Sequence, residues 1–123
     1  MKKQRLPHEP LRVEDFIATL QGDALRWTED LHHDLLAFDH FRCAIRWSIP
    51  FYGIHSWQVY LNPQKESGVE CCFMRGEALM AGCSILHRRN RSMVAGLRFP
   101  EESTDIHCLN DVIHESILKE LDF

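Results

Sequence analysis

The residues best suited to chemistry are histidines and carboxylates at helical spacing near the end of the chain. His107, Asp111 and His114 fall at i, i+4 and i+7, within about 40° to 60° of one another around a helix of 3.6 residues per turn. Two imidazoles and a carboxylate one turn apart can take a single divalent ion, with Glu115 adjacent. The competing reading is a solvated face that holds two histidines, and Leu118 on the same shoulder favours it. A second group, Glu29, Asp30, His33 and Asp34, forms an acidic, histidine-bearing helix face, diluted by Arg26. Most such faces serve solubility. Cys71 and Cys72 point to opposite sides of a strand, so they do not readily grip one ion together. Cys71 reads as a small core hydrophobe, and Cys72 as an outward thiol whose pKa Arg42, Arg46 or Arg98 would lower. No motif for Cys/His nucleophilic catalysis accompanies it.

Two further sets complete the candidates. His87, Arg88, Arg89 and Arg91 could receive a phosphate or an acidic patch through bidentate hydrogen bonds. No Gly-rich loop leads into a helix there, and a charged edge that blocks strand-to-strand aggregation is the simpler role. Among the aromatics, Trp47 and Trp57 are expected in the core. Phe51 and Tyr52 follow Pro50 at an expected bend, where they would line a small pocket or a homodimer contact.

The elements that must position these residues follow from periodicity. Val13 to Leu20 reads as a short helix, and Asp23 as the cap of the next. Ala24, Trp27, Leu31, Leu35 and Phe38 make the stripe of an amphipathic helix laid on a sheet. Cys43, Ile45, Trp47 and Ile49 alternate with Arg42, Ala44, Arg46 and Ser48, predicting one strand that Pro50 ends or bends. Alternation resumes with Trp57, Val59 and Leu61 inward. After a polar loop at 64–68, Val69, Cys71 and Phe73 face inward and Glu70, Cys72 and Met74 outward. Glu77–Cys83 reads as a helical turn or two, and Met93, Ala95, Leu97 and Phe99 as a strand ended by Pro100. Ser103, Thr104 and Asp105 offer caps for a last helix striped by Ile106, Leu109, Ile113, Ile117 and Leu121.

Strands this close in sequence must pair antiparallel. The predicted fold class is therefore α+β: a two-layer sandwich, an antiparallel sheet of four to five strands with the N-terminal and C-terminal helices on one face. The open face would display Arg42, Arg46, Gln58, Tyr60, Glu70, Cys72 and Arg98. A flexible arm over 1–12 and one domain over 13–123 are expected.

Composition narrows the function classes. A formal charge of −4 gives no electrostatic case for nucleic acid, and no apolar run approaches the roughly 18 residues of a membrane span. The basic start MKKQRLPHEP is followed by no apolar h-region, so no secretory signal is expected. Five cysteines without a CxxC pair read as reduced thiols in a cytoplasmic protein.

The run Ile45–Tyr52 (IRWSIPFY), the strand WQVYLNP, VECCFMRG and SMVAGLRF before a closing amphipathic helix resemble the DUF1801, or YdhG-like, family from about Phe16 to Leu121. The resemblance implies a frataxin-like arrangement, and with it a role in handling iron or another divalent metal, which the acidic helix bearing Asp30, His33 and Asp34 would hold weakly through carboxylates. It supplies no catalytic residue. Three classes of function follow as expectations. The first is a metal binder or carrier. The second is an interaction module, homodimeric or docking another protein, that uses the open face at Arg46, Gln58, Tyr60 and Arg98. The third, ranked last, is an enzyme with a pocket near Pro50, Phe51, Tyr52 and Cys72.

Overall fold

Two helices, a run of strands in sequence order and a closing helix build the chain in the computed structural model, which describes residues 12–79, 86–103 and 106–121, less the side chains of His107 and Leu121. The elements are α1 (Val13–Ile17), α2 (Gly22–Leu36), β1 (Arg42–Arg46), β2 (Ile49–Gly53), β3 (Trp57–Pro63), β4 (Val69–Phe73), a single turn α3 (Gly76–Leu79), β5 (Ala95–Phe99) and α4 (Ile106–Leu121). The strands form one sheet in the order β1-β2-β3-β4-β5, and each neighbouring pair is antiparallel. Residues 1–11 of the expected arm, Met80–Cys83 of the expected helical segment and the caps Thr104 and Asp105 lie outside the described residues.

The α2 stripe reaches the sheet as its spacing demands. Ala24, Leu31 and Leu35 are fully buried, and Trp27 and Phe38 partly so. From the other helix, Leu109, Val112 and Ile113 enter the same core against Tyr52, Val59, Leu61, Cys71, Phe73 and Leu97. The fold is thus α+β, with both long helices on one side of the sheet. Helix α2 starts two residues earlier than expected, at Gly22 in the left-handed region (φ 60°), and Gln21, not Asp23, precedes it, without a side-chain cap. Ile106, expected in the α4 stripe, is exposed, and so is Met93, which lies outside β5.

Two local events overturn the predicted parity between residues 43 and 61. The single strand expected up to Ile49 is a hairpin, with Arg46 opposite Ile49 and a two-residue loop at Trp47-Ser48. Both loop residues have positive φ (48° and 68°), the pattern of the I′ turn that matches strand twist. Trp47 therefore stands 73% exposed instead of in the core. Pro50 does not end a strand. It sits second in β2, opposite Ile45 and one residue before the ladder with β3 begins at Phe51, so the missing donor falls at the rim. Across the hairpin the inward residue opposite Cys43 is Tyr52, wholly buried, and it does not stand proud at a bend.

The second event is a β-bulge. Tyr52 pairs with Val59 but Gly53 pairs with Trp57, which leaves Gln58 as an extra residue. The slip turns Trp57 to the outer face and Gln58 inward, the reverse of expectation. Gln58 is buried and its polar atoms are satisfied: Oε1 accepts from Ile54 N–H at 3.0 Å, and Nε2 donates to the carbonyl and Oγ of Ser116 at 3.0 Å each. An amide at this position ties β3 to α4, where an apolar residue would leave Ile54 N–H unpaired.

Candidate functional site

Among the described residues no helix covers the outer face of the sheet, and its two halves differ. On β1–β3 the residues are aromatic and basic. Phe51 lies at the centre, only 3% exposed, because other rings cover it. Tyr60 stacks on it at 5.0 Å between centroids, while Trp47 and Trp57 meet it edge-on at 5.3 and 6.3 Å. The Arg42 guanidinium sits 4.2 Å over the Trp57 ring and donates to the carbonyls of Ile54 and His55. The Arg46 guanidinium lies 5.3 Å from the Trp47 ring. Between Asp39 and Glu66 the chain has no acidic residue, so β1, β2 and β3 contribute only positive formal charge to a chain of net charge −4. That gap was present in the sequence and could have signalled the patch; the turn and the bulge that place Trp47 and Trp57 on it had no such signal.

On β4–β5 the outer face is closed by the arginine run. His87 pairs with Gly96 in an isolated bridge, and the turn beyond it brings Arg89 and Arg91 over the strands. Glu70, 2% exposed, accepts from Arg89 Nε at 3.1 Å and from both terminal nitrogens of Arg91 at 2.8 and 3.1 Å. Glu102 binds Arg89 and His87 and accepts from Arg98 N–H at 2.6 Å. Burial alone would raise the Glu70 pKa, but the hydrogen bonds and charge of Arg91 and Arg89 hold it below the usual carboxylate value. Of the arginines expected at an exposed edge, Arg89 and Arg91 are therefore ion-paired inward, while Arg88 stays exposed. Cys72 does point outward, as expected, yet it is wholly buried beneath this turn. Burial, reinforced by Glu70, pushes its thiol up to about 12, the opposite of the activation expected from nearby arginine. Tyr60 beside it is also pushed up to about 12, chiefly by burial. Arg98 is half-buried on this face, with its Nε unpaired among the described residues.

On the helix side a buried polar pair stands out. His32 Nδ1 lies 2.7 Å from Tyr52 Oη, and Nε2 lies 3.5 Å from the Glu14 carboxylate. A carboxylate facing Nε2 fixes the hydrogen there, so Tyr52 donates to Nδ1. Burial lowers the His32 pKa, opposed by Glu14 and assisted by His33. The folded state thus binds this proton less readily than the unfolded chain. Its contribution to stability is complete above pH 6.5 and is lost as the pH falls below that value toward the lowered one. Denaturant midpoints measured across this range should fall with acidity in the wild type, with a shallower slope in His32→Gln. Equal slopes would remove His32 as the cause. Tyr52 is sealed from solvent, and the pair ties α2 to β2.

Among the described residues the expected metal ligands do not converge. Asp30, His33 and Asp34 are all exposed on α2, where burial and the neighbouring Asp30 raise the Asp34 pKa. Asp111 and His114 are exposed on α4, and the His114 ring packs edge-on against Phe38 at 5.0 Å. The His107 side chain lies outside the described residues. Among the described residues no group of three or more His, Cys, Asp or Glu side chains is disposed to hold a metal ion. No helix among them is long and apolar enough to cross a membrane. No family model, curated protein or solved structure matches this chain.

Proposed function

We propose that this protein is a binding module that docks an acidic segment of a partner protein on the open half of its outer sheet face. The observation that carries the reading is Trp47, a large aromatic held 73% exposed at a left-handed turn position, beside Arg46 and above the Phe51 cluster. Asn, Asp or Gly would suit that backbone better, and an exposed Trp beside Arg is the composition of interface anchors. The partner's sign comes from Arg42 and Arg46 in a stretch without acids. Among the described residues only these two arginines flank the rings, since Arg89 and Arg91 are committed to Glu70. Two cations match one or two carboxylates better than the repeating charge of a nucleic-acid strand.

The docking role expected of this face stays at Arg46 and Tyr60, while Arg42, Trp47 and Trp57 take the place of the expected Gln58, which is buried inward, and Arg98, which is half-buried. A DUF1801-like membership rests on the sequence motifs, and a cytoplasmic location on the reduced thiols of Cys43, Cys71 and Cys72. A carrier of iron or another divalent metal has less support, because its candidate ligands are dispersed.

Selection of a random displayed peptide library against the purified protein tests the proposal. Enriched peptides should combine Asp or Glu with an apolar residue, lose affinity as salt rises, and bind Arg46→Ala at least about tenfold more weakly, the scale of one charge-assisted contact. Peptides without acidic enrichment, or equal binding to the variant, would overturn it. So would saturable binding of an oligothymidylate or self-association that blocks the peptides.

A further inference from the structure

At the end of the sheet, away from the Trp47 turn, lies a cleft of about 390 Å³ between the start of β3, the end of β4, α3 and the last turns of α4. Its size falls at the lower end of small-molecule pockets, roughly 300–1,000 Å³. The bulge helps to form it. Turning Gln58 inward draws β3 to α4 through Ser116, and turning Trp57 outward makes that ring one wall. Met74, Leu79 and Met93 supply the other apolar surface, and Met93 is 53% exposed. Methionine side chains adapt to ligands of varied shape. A smaller hollow of about 210 Å³ shares Arg75 and Met93 and extends the surface past Glu77.

The polar groups give the sign. Arg75 lines both hollows, is exposed, and makes no side-chain hydrogen bond or ion pair with another described residue. Lys119 has only an exposed i, i+4 contact with Glu115 at 3.7 Å, a pairing worth a few tenths of a kcal/mol. Glu120 is engaged with the wall itself, accepting from Ser56 N–H at 2.6 Å and Ser56 Oγ at 2.8 Å. Among the described residues the free cation at the cleft is thus Arg75, supported by Lys119, while Glu120 disfavours a second negative charge on the ligand.

We infer that this cleft binds a small monocarboxylate carrying an apolar chain or ring, with the carboxylate on Arg75 and the apolar part against Met74, Leu79 and Met93. The site is separate from the docking patch and meets it only at Trp57.

Octanoate is the probe, followed through the methyl signals of methionine labelled with carbon-13. Met74 and Met93 should shift saturably at submillimolar to low millimolar octanoate. Octanol should bind several-fold more weakly, and octylammonium more weakly still. Arg75→Gln should weaken octanoate roughly tenfold, as expected for loss of a charge-assisted pair. Met93→Glu, a change at an exposed residue that the fold should tolerate, should weaken it through repulsion. Replacing Trp47 by Asn should leave octanoate binding unchanged, which separates this inference from the docking reading. Absence of Met74 and Met93 shifts at ten-millimolar-scale octanoate, equal binding of octylammonium, or an unaffected Arg75→Gln would each overturn the assignment.

Discussion

Glu70→Ala is expected to lower the unfolding free energy by about 3 kcal/mol, read as a shift in denaturant midpoint at neutral pH. Removing one partner of a buried ion pair typically costs about 3–5 kcal/mol because the other charge is left uncompensated. The lower end applies because the Arg89 and Arg91 side chains are 23% and 29% exposed and can turn into water, while Glu70 is almost wholly enclosed. Glu102 continues to hold His87 and Arg89, so the turn loosens without leaving. Two further consequences identify the mechanism. The lowered Glu70 pKa means that its contribution is present above the ordinary value of 4.5 and is lost as the pH falls below it toward the folded-state value, so wild type and variant should converge in acid. Cys72, sealed beneath Arg91, should react faster with a thiol reagent in the variant, with Cys72→Ser as the reference. A loss under about 1 kcal/mol, the range of surface pairs, would mean that the cluster is solvent-screened instead of buried.

The parts of this fold legible in the sequence are those set by simple periods. The stripe from Ala24 to Phe38 is a surface that only a sheet can cover, and Val69, Cys71 and Phe73 alternate as a one-sided strand must. Antiparallel order followed from short connections. What was not legible depends on one residue in each case. Trp47 and Ser48 lack the Gly, Asn or Asp chemistry that announces a tight turn, so the hairpin read as an unbroken strand. The bulge at Gln58 reverses the side of Trp57, and alternation has no means of recording an inserted residue. The Glu70 cluster joins side chains 19 and 21 positions apart, and His32 meets Tyr52 across 20, separations that no local pattern encodes. Helical spacing aligned the candidate metal residues along α2 and α4, but among the described residues no three His, Cys, Asp or Glu side chains come together to hold an ion.

The second large effect is expected from Trp47→Asn combined with Ser48→Gly, which installs the residues that the I′ turn prefers. Relief of two left-handed non-glycine residues should contribute about 1 kcal/mol each. Loss of the edge-on contact with Phe51 should remove about 0.5–1.5 kcal/mol. Folding stability should therefore rise by about 0.5–1.5 kcal/mol. Binding should fall by more than about tenfold, since an exposed Trp at the centre of a contact is commonly worth 2 kcal/mol or more. The direction of the two effects is what separates a docking residue from a structural one.

The account is tested most directly by titrating a selected acidic peptide into this double variant and into the wild type, with both shown folded by the same unfolding curve. The expected result is a variant at least as stable as the wild type that has lost the peptide. A variant that binds the peptide as tightly as the wild type, or one destabilised by the better turn, would contradict the claim that Trp47 is held in water to meet a partner.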